Sequence, residues 1–137
     1  MNQHSYLRAY LAGIAVPTVF LLIAMTGYTI LRYVYNVPVP IERVIVFPMA
    51  AVPNLWGLWN VLYVAGIVRH KVPLGLFGGI LPILLAPLGY TVARLLDFSI
   101  PSMVVHAFPL AFPIGLILYY LAWKHLVGFL NQELGVA

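Results

Sequence analysis

Four long runs without a charged residue dominate this chain. Residues 9–31, 44–68, 72–93 and 98–123 contain no Asp, Glu, Lys or Arg, and all ten charges fall between these runs or at the ends. The runs are 23, 25, 22 and 26 residues long, whereas an α-helix needs about 20 apolar residues to cross a hydrocarbon layer of roughly 30 Å. Membrane β-strands alternate apolar and polar residues over about ten positions, and these runs do not alternate. Helices also satisfy their own backbone groups where no water can. The expected fold is therefore an all-α integral membrane protein with four transmembrane helices, at about 9–33, 44–68, 73–95 and 101–125.

Composition agrees. The chain is 64% hydrophobic and 7% charged, with a mean hydropathy of +1.02, against about 25% charge in soluble domains. The first apolar stretch, Ala9–Leu31, exceeds the roughly 7–15 residues of a signal-peptide core, and no A-x-A-like cleavage site follows it. It is read as a retained helix. Cysteine is absent, which excludes disulfides, thiolate metal sites and cysteine nucleophiles. The net charge of +4 is spread over five flanks without a basic tail, so it speaks for orientation and anionic headgroups and not for nucleic acid.

Pro40, Pro73 and Pro101 stand where a helix can begin, since its first N–H groups lack partners in any case. Connections are thus expected at about 34–40, 69–72 and 95–100, short enough to make sequence neighbours antiparallel neighbours. Ile41–Phe47 reads either as the start of the second span or as an interfacial turn broken at Pro48.

The hexamer GYTILR at residues 27–32 returns as GYTVAR at 89–94. Around it, AGIAVP ending at Pro17 matches GGILP ending at Pro82, FPMAAVP (Phe47–Pro53) matches FPLAFP (Phe108–Pro113), and Arg69-His70 matches Lys124-His125. The matches keep their order, which suggests tandem duplication of a two-helix hairpin, with units at residues 1–70 and 71–137 forming a pseudo-two-fold bundle about an axis along the membrane normal. The plain alternative is that membrane helices favour Gly and Pro. Small residues let helices approach closely in lipid, and Ala9 and Gly13 match Gly75 and Gly79. The expectation is that these faces of the first and third helices meet. Prolines within the spans free carbonyls that can line a cavity, though without neighbouring acids or hydroxyls they are read as sources of curvature.

One polar stretch interrupts a span: PNLWGLWN, residues 53–60. Trp56, Trp59, Asn60 and Tyr63 fall at i, i+3, i+4 and i+7, a single helical stripe. It can form an aromatic wall for a quinone, pigment or lipid tail, with Asn60 fixing a polar end. Its ordinary use is helix packing with one satisfied amide. Asn54, off the stripe, is expected to serve backbone groups freed by the Pro53 kink. The matching part of the fourth span, IGLIL, carries no polar group.

Histidines are the remaining resource. His70 and His125 end the second and fourth expected spans on one side and are weak candidates for axial haem ligands, beside the ordinary role of interfacial anchor. His106 could ligate a chlorin-type pigment or join Arg94 and Asp97, whose spacing suits an i,i+3 pair. The plain reading of His106 is a hydrogen-bonded structural residue. Arg32 is the counterpart of Arg94 without the acid.

No carboxylate lies within a span, against a proton-coupled transporter. The three serines flank the spans and no H-E-x-x-H occurs, against hydrolysis. The favoured function is a non-catalytic accessory or scaffold subunit, whose partners are the lipid bilayer and other membrane subunits or further copies of itself. The alternatives are a pigment-, quinone- or haem-binding subunit, and a small pore or carrier for an uncharged solute. Arg8, Arg69, Lys71 and Lys124 outnumber Arg32, Arg43 and Arg94 on the other side, so both termini are expected in the cytoplasm, with the protein in the cell's inner membrane.

Overall fold

The computed structural model describes residues 4–66 and 71–136. Every regular element among them is helical. Four helical runs are long and apolar enough to cross a membrane: Ser5–Tyr33, Ile41–Val64, Leu74–Leu95 and Ser102–Glu133, the first to fourth spans below.

Their boundaries follow local chemistry. Pro40, Pro73 and Pro101 each stand immediately before a helix, where the missing N–H costs nothing. The first and third spans are followed by Asn36 and Asp97, with φ of 55° and 54°, in the left-handed region that Asn and Asp tolerate best among residues with a side chain. The second span is one run with a break: Ile41–Val44 is helical, Phe47 is extended (φ −149°, ψ 125°), and Val52–Val64 resumes the helix. The third span steps at Ile80 between Leu74–Gly79 and Leu81–Leu95. The fourth passes straight through its charges. Its helix Ser102–Leu121 loosens into a π-helical stretch, Ala122–Val127, and closes as Gly128–Glu133. Lys124 and His125, expected at its end, therefore lie inside it.

Packing is tight at the end that holds both chain termini and loose at the other. The first and second spans meet where both lack side chains. A Cβ on Gly13 would lie 2.5 Å from the Trp56 carbonyl oxygen and 2.7 Å from Gly57 Cα. The third and fourth spans meet through a different device: the Trp123 ring occupies the space a Cβ on Gly78 would need. The small residues thus pair first with second and third with fourth, and the expected meeting of Ala9 and Gly13 with Gly75 and Gly79 does not occur. Trp123, Trp56, Leu81, Leu85, Val16, Val52 and Val127 form the core. Val136 folds back against Ala9 and Val64.

Toward the other end the helices separate. Beyond Pro17 the first span has no buried residue, beyond Leu85 the third has none, and Pro101–Ala111 of the fourth is exposed at every position. The Gly-Tyr-Thr hexamers lie in this open half. Each threonine hydroxyl donates to its own helix, Thr29 to the Met25 carbonyl at 2.7 Å and Thr91 to that of Pro87 at 2.8 Å. Their glycines differ, for Gly27 faces open space while Gly89 is met by the Phe47 ring.

Candidate functional site

The periodicity that puts Trp56, Trp59, Asn60 and Tyr63 on one stripe also turns that stripe inward. Trp56 is 4% exposed and meets Tyr119 edge-on at 4.9 Å between centroids and Trp123 at 5.1 Å. Trp59 stacks on Phe77 at 4.7 Å and donates its indole N–H to the Phe77 carbonyl at 2.8 Å. Tyr63 tilts onto the same Phe77 ring at 5.4 Å. The stripe is thereby inserted between the third and fourth spans.

Asn60 is fully buried and its amide is consumed by protein. Its Nδ2 donates to the Ala9 carbonyl and to Asn131 Oδ1, both at 2.7 Å, and Asn131 Nδ2 returns a bond to Asn60 Oδ1 at 3.0 Å. Asn131 is also fully buried. Three spans are thus tied at one point, each amide answering the other's desolvation. Asn54 serves a backbone group, donating to the Ala50 carbonyl at 2.8 Å while its Oδ1 accepts from the Tyr10 hydroxyl, but Pro53 stands in the first turn of its helix and makes no kink there. The indole N–H groups of Trp56 and Trp123 are buried without a partner among the described residues.

Asn131, Trp123, Tyr119 and Phe77 are absent from the sequence-based candidates. Trp123, Val127 and Asn131 recur every four residues, a periodic signal that a span ending at Lys124 cuts off. The polar group that answers Asn60 lies well beyond IGLIL.

Open space begins on the other flank of Trp56. A cavity of about 610 Å³ lies between the first, second and fourth spans, with Val16, Pro17, Phe20, Trp56, Tyr119 and His125 in its lining. A smaller one of about 320 Å³ shares Pro48, Val52 and Tyr119 with it. A third of about 650 Å³, between the third and fourth spans, shares Phe47, Leu85, Ala86 and Phe108 with the second. The linings are almost wholly apolar, and Tyr119 and His125 are the ionisable side chains of the first.

His106 is exposed, and its Nδ1–H donates to the Ser102 carbonyl one turn back at 2.7 Å. His70 lies outside the described residues. Among those described, no group of three or more His, Cys, Asp or Glu side chains could hold a metal ion. The boundary charges pair otherwise than their spacing suggests. Arg32 meets Glu42 at 2.8 Å, and Arg94 and Asp97 form no ion pair. Arg43 donates to the Ser99 carbonyl at 2.8 Å and lies over the Phe98 ring.

Fold and interior together define the class: an all-helical chain with four helices apolar enough to span a membrane, sealed at one end by a buried amide pair and open at the other. No family model, curated protein or solved structure matches it.

Proposed function

We propose that this chain is a non-catalytic accessory subunit of a larger membrane assembly, docked through the open half of its fourth span. The observation that carries the reading is the exposure of every residue from Pro101 to Ala111, which leaves three turns of helix without a partner in this chain. Along those turns and the next, Ala107, Ala111 and Gly115 recur at four-residue intervals, the spacing that lets a second helix approach in lipid. Gly115 has nothing within 4 Å of where a Cβ would stand, in contrast to Gly13, Gly57 and Gly78, which neighbouring spans have already filled; with Ala111 it lines the cavity of about 320 Å³ that the second and third spans leave open beside the fourth, and a partner helix would enter there. The polar interior is consistent with this role, because the amides of Asn60 and Asn131 are spent on each other and on Ala9.

Extraction in mild detergent followed by mass spectrometry tests it. The chain should co-migrate with larger membrane proteins in stoichiometric amount, and Gly115→Leu should release it while leaving its own helices intact. Migration alone as a monomer or homodimer overturns the reading.

The two halves are best read as a tandem duplication. Aligned on Pro17 and Pro82, the buried residues Ala12, Gly13, Val16 and Pro17 correspond to Phe77, Gly78, Leu81 and Pro82, all buried as well. In each half the glycine of the odd-numbered span is the point where the even-numbered span enters. The positive-inside bias favours an inner-membrane protein with both termini cytoplasmic. A reporter fused after Ala137 that is active only on the outer side would refute that orientation.

A further inference from the structure

We propose that the cavity between the first, second and fourth spans binds a lipid-soluble quinone, a flat ring with carbonyl acceptors on an alkyl or isoprenoid tail. Its volume of about 610 Å³ lies within the range of roughly 300–1,000 Å³ typical of small-molecule sites, which are mostly apolar with a few polar groups that orient the ligand. Trp56 and Tyr119, set edge to face at 4.9 Å, provide an aromatic wall for a ring. Val16, Pro17 and Phe20 provide an apolar wall. The rim residues Phe20 and Leu121 are exposed, so in a bilayer the mouth meets hydrocarbon and a tail can trail into lipid.

His125 supplies the polar group. It is exposed and lines this cavity, and its imidazole makes no hydrogen bond to the described residues. It sits on the π-helical stretch Ala122–Val127, a local distortion that recurs at functional sites. Seven residues of helix lie between it and Glu133, a rise of about 12 Å from one to the other at 1.5 Å per residue, so the helix runs on well past it. An imidazole N–H is a donor suited to a quinone carbonyl.

Other membrane ligands fit less well. A phospholipid phosphate calls for cations, and the lining holds no Lys or Arg; the Lys124 ammonium lies 5.8 Å from the Tyr120 ring, which is not part of the wall. A bis-histidine haem needs a second imidazole, and the described His106 is turned to Ser102 at the far end of the span.

Binding alone is proposed, and it is independent of the accessory role. The test is titration of the full chain in nanodiscs with decylubiquinone, read by tryptophan fluorescence, since Trp56 forms part of the wall. Saturable quenching is expected. His125→Leu should weaken it by about tenfold, the equivalent of one good hydrogen bond, and His125→Gln, which keeps a donor, should recover most of the affinity. Ala122→Phe, which fills the cavity from the fourth span, should abolish saturation. Circular dichroism of each variant checks that the helices persist. Quenching that rises linearly and equally in all variants is simple partitioning and overturns the site. Saturable quenching indifferent to His125, and displaced equally by decylbenzene, overturns the quinone assignment.

Discussion

Asn60 and Asn131, 71 positions apart in the chain, exchange two side-chain hydrogen bonds at 2.7 and 3.0 Å, and neither is exposed. Each amide is therefore the other's substitute for water. Replacing one with leucine strands its partner, and an unsatisfied buried polar group costs about 1–3 kcal/mol. Asn60→Leu and Asn131→Leu should each lower stability by that order, whereas the double variant should cost less than the sum. Interhelical hydrogen bonds in membranes average about 0.6 kcal/mol with a maximum near 1.7, and the coupling energy should fall in that interval. Unfolding titrations in mixed micelles measure it, and strict additivity would show that the two amides act separately.

The contact of the first two spans gives a sharper contrast. A Cβ at Gly13 would press on backbone atoms of Trp56 and Gly57, which cannot turn aside, while Gly27 on the same helix has nothing within 4 Å. Gly13→Ala should destabilise by about 1–3 kcal/mol, the usual cost of overpacking. Gly27→Ala should be neutral or add up to about 1 kcal/mol, because Gly is the poorer helix former. Equal effects at the two sites would contradict the close approach of the helices.

Trp59 holds Phe77 in two ways, by ring stacking at 4.7 Å and by an N–H bond to the Phe77 carbonyl at 2.8 Å. Trp59→Phe removes the bond and keeps a ring, and should cost about 1 kcal/mol. Trp59→Ala removes both and should cost about 3–5 kcal/mol. If the two variants unfold at the same denaturant concentration, the stack contributes nothing.

Charge-free length alone foretells the four spans, because burying a charge in hydrocarbon is so costly that the runs leave little choice. Likewise, Trp56, Trp59, Asn60 and Tyr63 are legible as one stripe from spacing. The partner of Asn60 is not, for a specific reason. Lys124 and His125 look like the end of a span, but a long lysine stem can carry its ammonium away while the helix continues, and Lys124 does so over Tyr120 at 5.8 Å. Ending the span there hides Asn131. The pairing of the glycines is illegible for a different reason. Small residues four apart state that a helix can be approached closely, but not by which neighbour, and Gly13 meets Gly57 where a match to Gly75 and Gly79 was expected. The cavity beside His125 depends on how three spans diverge, which no local pattern encodes.

The absence of cysteine permits a direct map of the docking face. Ala107 and Ala111 share one side of the fourth span with Gly115, whereas Val105, 59% exposed, lies about 200° around the helix from Ala107 at 100° per residue. Single cysteines at 107 and 111 replace one small residue with another and should leave the fold unchanged. In native membranes, a short bifunctional thiol reagent should join the 107 and 111 variants to a partner chain. The 105 variant should be modified by a monofunctional thiol reagent but remain uncrosslinked. A partner adduct at all three positions would mean non-specific collision in the bilayer. Adducts only at 105 would place the partner on the opposite side of the helix and remove the role proposed for Ala107, Ala111 and Gly115.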